Sequence, residues 1–236
     1  MKTQNNGRFA QFKNLCHQAV KCRDCFNGSI PKIKSPGFDI AQPRWIGKKY
    51  WVAKKRILVL TINPGKSAAK EDPDKTALEE LRKFRKSGDG HKLREILAAQ
   101  RADMPRWGAR GKNTEEKPGR FLEFYREKMG LKIDEGEVAF GNIAWCAAVK
   151  RDKNNKWVNA SPKKMLDECY KKHTSKLLKI LEPDIVILSG SGAYTKKIRE
   201  VLPKCKGKVI STFHYAHRKG NSKEGNKLKR VRKLLK

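Results

Sequence analysis

Ile57-Leu-Val-Leu-Thr-Ile62, running straight into Asn63-Pro64-Gly65, is the stretch on which the fold turns. Its six residues carry no charge and show none of the in-out alternation of a half-exposed strand, so the sequence predicts a strand covered on both faces. Three further runs are likewise rich in apolar β-branched or aromatic residues: Glu137-Val-Ala-Phe-Gly-Asn-Ile-Ala-Trp145, Asp184-Ile-Val-Ile-Leu-Ser189 and Lys208-Val-Ile-Ser-Thr-Phe213. Helical patterns separate them, over about 8 to 21 (Phe9, Phe12, Leu15), 75 to 86 (Leu78, Leu81, Phe84), 119 to 129 (Phe121, Leu122, Tyr125) and 161 to 182. Continuous apolar strands alternating with helices predict an α/β protein, a three-layer αβα arrangement around a central, mostly parallel four-stranded sheet. The last helix opens on Ser161 with Pro162 in its first turn and stops before Pro183, and Leu166, Cys169, His173, Leu177 and Leu181 recur at helical spacing, turning Cys169 inward. Arg101 to Pro118, polar and glycine-containing, reads as a long surface loop.

At 236 residues and 38% hydrophobic, the chain can bury one sizeable core. One domain is expected over residues 1 to 218, followed by a basic tail over 219 to 236. A formal net charge of +32 at pH 7 favours a polyanionic partner, with nucleic acid first among the candidates. No apolar run approaches the roughly 18 residues that a membrane helix needs, and the polar start lacks an apolar signal region. A cytoplasmic, DNA-associated monomer is the expectation. In the tail, Leu228, Val231 and Leu235 leave two alternatives, a short basic helix docked on the body or a solvated segment.

Four of the six cysteines stand out. Cys22-Arg-Asp-Cys25 is a CxxC pair, which alone suits zinc, an iron-sulfur cluster, a redox dithiol or chance. Cys146 and Cys169, each inside an interpretable element, extend it to a candidate four-thiolate site, compatible with either zinc or iron-sulfur. Cys16 and Cys205 read as ordinary thiols. Ligands of open α/β sheets gather beyond the carboxyl ends of the strands. There the chain places Asn63-Pro64-Gly65, Asn142 and His214. An asparagine amide can pair with the O4 and N3-H edge of a pyrimidine, and a histidine near O2 can stabilise charge on a departing base. Each has a plain alternative as an ordinary turn, a backbone-satisfying amide or a strand cap.

On these residues the chain resembles the uracil-DNA glycosylase superfamily, most closely its iron-sulfur branch, from the helix before Cys22 to about Arg218. In that branch a CxxC near the N-terminus, a cysteine four residues after a strand asparagine and another in the following helix hold a [4Fe-4S] cluster. These positions match Cys22, Cys25, Cys146 after Asn142, and Cys169. The Asn159-Ala-Ser-Pro-Lys-Lys-Met-Leu-Asp-Glu-Cys169 stretch is similar to the branch's cysteine helix, and Thr212-Phe213-His214, with Arg218 four residues on, to its second catalytic motif. Two departures stand out. Ile62-Asn63-Pro64-Gly65 replaces the branch's usual Glu-Ala-Pro-Gly and looks like the mismatch-specific and single-strand-selective branches. Tyr215 stands where proline is common.

The resemblance implies a DNA repair enzyme that flips out and hydrolytically excises uracil, or a related deaminated base, leaving an abasic site. It implies that Asn63 positions the attacking water and that His214 stabilises the developing charge at O2. Ile62, Gly65 and Asn142 would bind the base, and Trp107, with Phe121 behind it, is the candidate aromatic face for it. Tyr215, His217 and Arg218 would contact DNA. A [4Fe-4S] cluster is the implied cofactor, with zinc as the alternative metal. The alternative function is a non-catalytic or covalently trapping DNA-binding protein with the same metal-stabilised fold.

Overall fold

The computed structural model describes residues 2–25, 40–64, 73–107, 119–147, 149–151, 157–159, 162–215 and 222–236. In chain order these form α1 (Lys2–Lys21), β1 (Ile57–Thr61), α2 (Pro73–Ser87), α3 (Gly90–Asp103) and α4 (Arg120–Leu122), which continues as a π-helical segment over Glu123–Lys128. There follow β2 (Val138–Asn142), β3 (Val149–Arg151), β4 (Trp157–Asn159), α5 (Lys163–Cys169), a π turn at Tyr170–Thr174 and α6 (Ser175–Leu181). The chain closes with β5 (Ile185–Ser189), α7 (Thr195–Val201), β6 (Val209–Thr212) and α8 (Ser222–Leu235).

The four expected strands form one sheet in the order β2-β1-β5-β6, with all strands parallel and helices flanking it, the three-layer α/β class that the sequence pattern predicts. Ile57 lies opposite Ile185, Leu60 opposite Leu188, Val186 opposite Val209 and Ser189 opposite Thr212. The absence of alternation explains the burial: Leu58, Val59, Leu60, Val186, Ile187 and Leu188 have no exposed surface. Each such side chain contributes about 1.5–3 kcal/mol of hydrophobic stabilisation. Strands β3 and β4 pair separately as an antiparallel hairpin.

The contacts divide the chain into two compact units. The first comprises Met1–Arg44, Ile62–Leu97 and Gly141–Ile180; the second comprises Trp45–Thr61, Ala98–Phe140 and Leu181–Lys236. The first gathers α1, α2, α5 and the π turn. Leu78, Leu81 and Phe84 of α2 are buried, as are Phe12, Leu15, Cys16 and Ala19 of α1, which are the inward faces that helical periodicity assigns.

The second unit holds β1, β5 and β6 with α7 and α8 packed against β6. Of the two alternatives for the tail, the docked helix is the one observed. Val231 is fully buried, Arg232 donates from Nε to the Lys128 carbonyl at 2.6 Å, and Lys55 Nζ donates to the Leu234 carbonyl at 2.9 Å. Arg232 thereby satisfies a carbonyl left open at the end of the Glu123–Lys128 segment, where a cation is favoured. That segment ends as expected at Gly130, whose φ of +78° only glycine adopts without strain.

Three local expectations are corrected. The loop predicted from Arg101 begins later, because Leu93, Ile96 and Leu97 bury one face of α3 through to Asp103, and Met104 is buried in the 3-10 turn that follows. Residues 108–118 lie outside those described. The helix expected from Ser161 begins at Lys163, with Pro162 in extended conformation (ψ 143°) as the cap residue; Ser161 lies outside the described residues. Within it Leu166 is only half buried while Met165 is fully so, because the wider π turn inserts into the helix and shifts its inward face. Strand β2 stops at Asn142 rather than continuing to Trp145, since the Ala144 N–H leaves the ladder to donate to the Ile62 carbonyl at 2.9 Å.

Candidate metal centre and active site

Four cysteines line one cavity of the first unit. Cys22 and Cys25 follow the end of α1, Cys146 follows the turn after β2, and Cys169 ends α5; with Asp24, Ala41, Glu168, Lys172 and His173 they line a small pocket, partly open to solvent. All four are free thiols. Burial raises the Cys146 thiol well above its ordinary range, and the negative charge that Cys169, Cys25 and Cys22 would carry as thiolates raises it further. Burial likewise pushes Cys25 up to about 11 and Cys169 up to about 12. Thiols that oppose one another's ionisation become thiolates together only when a cation sits among them.

Among the described residues no set of three or more His, Cys, Asp or Glu is already gathered on a single ion-binding point, so the fit of a metal is judged from the donors. The donors suit one. They are all sulfur, the set that zinc and [4Fe-4S] clusters both accept. The Trp145 backbone N–H donates to Cys169 Sγ at 3.1 Å, a bond that favours the thiolate. Lys172, ion-paired with Asp24, adds a positive charge beside Cys22, Cys25 and Cys169 and ties the CxxC loop to the π turn. The local scaffold is stiff. Trp145 Nε1 donates to Thr174 Oγ1 at 3.1 Å, and Thr174 Oγ1 reaches the Asn142 and Ile143 carbonyls at 2.9 Å each.

His173 is the member that the cysteine spacing does not single out. It is buried against Trp145, with ring centroids 5.8 Å apart, and both of its ring nitrogens lack a hydrogen-bond partner. Burial, aided by Lys176 and Lys172, lowers it to about 4, so the ring is neutral near pH 7. A buried donor left unpaired costs about 1–3 kcal/mol. The helical periodicity already turned His173 inward; its neighbours in space, which give that position meaning, come from segments distant in sequence.

Two of the candidate base-site residues also belong to the first unit. Asn63 follows β1, with Nδ2 buried and unpaired, and Pro64 behind it is buried. Asn142 closes β2 and is 3% exposed. The Ala144–Ile62 hydrogen bond joins the two turns that carry them.

His214 belongs to the second unit, two residues beyond β6. A short relay fixes its backbone: Tyr125 Oη donates to Ser189 Oγ at 2.6 Å, and Ser189 Oγ donates to the Phe213 carbonyl at 3.0 Å. Gly190, with φ +74°, brings β5's end so close that a Cβ there would stand 3.1 Å from the His214 Cβ. Burial lowers the His214 pKa and favours the neutral ring. Tyr215 lies against it, with centroids 4.3 Å apart, and joins a cluster with Phe121 at 5.3 Å and Tyr125 at 6.1 Å. Trp107 meets Phe121 edge-on at 4.8 Å. The tyrosine relay and Gly190 carry no motif and were not legible as site residues.

The structure thus brings Cys22, Cys25, Cys146 and Cys169 together and sets Asn63, Asn142 and His214 each at or just past the carboxyl end of its own parallel strand. Gly65, His217 and Arg218 lie outside the described residues, as does the side chain of Cys205. Cys16 is fully buried within the first unit, an ordinary core thiol raised by burial alone. No helix among the described residues is long and apolar enough to cross a membrane. No protein-family model matches the chain, and no curated protein matches it in sequence.

Proposed function

We propose that the protein is a DNA repair glycosylase that extrudes uracil, or a related deaminated base, from DNA and hydrolyses its glycosidic bond to leave an abasic site. The observation that supports this most directly is the gathering of four cysteines, scattered along the sequence, around one cavity, while an amide, a second amide and a neutral imidazole stand at the carboxyl ends of parallel strands. Cys22, Cys25, Cys146 and Cys169 would hold a [4Fe-4S] cluster, which when bound supplies a structural tie and an electron-accepting centre. The chemistry at the base falls to the chain's own groups. Asn63, whose Nδ2 has no protein partner, orients the attacking water; Asn142 reads the pyrimidine edge; and neutral His214 donates to O2 as negative charge develops there. A neutral donor suits this role because it stabilises the oxyanion without protonating it beforehand.

The net charge of +32 and the exposed Lys229, Arg230 and Lys233 of docked α8 fit a phosphate backbone. The test is incubation with single- and double-stranded oligonucleotides containing uracil, hypoxanthine, xanthine or mismatched thymine, followed by alkali. Strand scission at the modified base supports the glycosylase, whereas a denaturant-resistant complex identifies a covalent trap. Retardation alone, with no scission on any substrate, identifies a binder and refutes the reading.

A further inference from the structure

The cysteine cavity contains one polar side chain whose placement the four-thiol pattern does not explain. His173 lines that cavity, and neither ring nitrogen has a partner within the protein. Its position is not accidental slack. The π turn that carries it is pinned on both sides, by Trp145 Nε1 on Thr174 and by Lys172 on Asp24, and the Trp145 ring backs the imidazole. A neutral imidazole presents one N–H donor, and buried donors are held where an acceptor will meet them. The acceptors of an all-cysteine site are its sulfurs, and Cys169 already takes one such bond, from the Trp145 amide.

We infer that His173 is a positioning residue of the metal centre, donating its ring N–H to a sulfur of the group that the four cysteines hold. This rests on the iron-sulfur reading of that site. A donor to sulfur withdraws electron density and stabilises the more negative, reduced state, so the bond raises the reduction potential of the centre. It also gives a partner to the ring N–H that the protein alone leaves open. The nearby Lys172 acts in the same direction through its charge, but it is exposed to water and spent on Asp24.

The test uses the full chain, purified anaerobically, with reduction potentials measured by redox titration. His173→Leu, which removes the donor at similar bulk, should load iron and shift the potential downward; His173→Gln, which restores an amide donor, should recover part of the shift. Equal potentials in the wild type and both variants overturn the inference while leaving the cluster reading intact. A wild-type protein that carries zinc and no iron overturns both, and iron analysis alone distinguishes that outcome. Should His173→Leu fail to fold, the wild type labelled with nitrogen-15 histidine answers by pulsed electron paramagnetic resonance of the reduced centre. Weak nitrogen coupling supports the hydrogen bond. No coupling, or the strong coupling of a direct ligand, overturns it.

Discussion

Around their candidate site residues the two units satisfy polar groups differently. In the second unit Tyr125, Ser189 and the Phe213 carbonyl close a chain of hydrogen bonds among themselves, and Arg232 and Lys55 fill carbonyls at helix ends. In the first, four thiols face one another across a cavity, His173 has neither nitrogen paired, and Asn63 Nδ2 is buried without a partner. Buried polar groups are paired in stable proteins, by the chain or by what it binds. Around His214 the second unit therefore reads as a preformed platform, although Trp51 Nε1 and Arg199 Nε elsewhere in it are buried without a hydrogen-bond partner. The first reads as one that ligands complete, metal at the cysteines and substrate at Asn63.

The largest effect should come from breaking that completion at the metal. Cys169→Ser would remove one of the proposed ligands from the cysteine pocket, which joins the end of α1, β2's turn and α5, and a bound metal would contribute its binding free energy to folding, on the order of 10 kcal/mol for structural zinc. Hydrogen exchange should show α1 and α5 amides losing protection while those of β1, β5 and β6 keep theirs. Uniform loss across both units would show that they do not differ in their need for metal, and unchanged exchange with unchanged metal content would remove Cys169 from the ligand set.

Next in size is a pair of substitutions, one in each unit. Asn63→Ala and His214→Ala should each lower single-turnover excision by about a hundredfold or more, the scale of losing an interaction made mainly in the transition state, while DNA affinity stays near that of the wild type. Binding and chemistry should separate in both. If either variant excised at the wild-type rate, the substituted residue would have no part in the reaction.

What the sequence disclosed follows the same division. Strands buried on both faces write themselves as unbroken apolar runs, so β1, β2, β5 and β6 were legible within a few residues, and so was their mostly parallel pairing, but not the order β2-β1-β5-β6. Cysteines are rare enough that Cys22, Cys25, Cys146 and Cys169 could be picked out before anything placed them together. Helix α3 was not legible, because Leu93, Ile96 and Leu97 are thinly spread among His91, Lys92, Arg94 and Glu95 and the apolar stripe is narrow. The π turn escaped because a one-residue insertion leaves no compositional mark, yet it sets which of Met165 and Leu166 is buried. Trp107 was read as an aromatic face with Phe121 behind it, and the two rings do meet edge-on at 4.8 Å although the residues stand fourteen apart. The Tyr125–Ser189–Phe213 relay joins three segments by hydroxyls that are individually unremarkable in a sequence.

A smaller effect should follow from disturbing the preformed unit at its tightest point. Gly190→Ala forces a side chain into left-handed backbone, at a cost of about 1–2 kcal/mol, and sets its Cβ against that of His214 at 3.1 Å. The sheet should survive. His214 should move, and since a 1 Å misplacement can cost about a hundredfold, excision should fall by a factor approaching that of His214→Ala. Full activity in a folded Gly190→Ala protein would show that the second unit's platform is looser than its hydrogen bonds suggest.

The smallest expected effect is on stability against pH, and it bears on whether His214 is held as firmly as the relay around it. Burial places the imidazole's folded pKa below its ordinary value, which is about 6.5 for an unperturbed histidine. Between the folded value and about 6.5 the unfolded chain binds a proton that the folded chain does not, so stability rises with pH across that window. Above it both states leave the ring neutral and the contribution is constant; as pH falls through it, stability is lost. The His214→Ala variant should therefore lose less stability than the wild type between pH 7 and pH 5, measured as the change in guanidinium midpoint. Other histidines and the cysteines are common to both proteins and cancel in the comparison. Parallel losses would show that the ring titrates as freely in the folded protein as in the unfolded one, and the neutral donor proposed for the departing base would have no structural support.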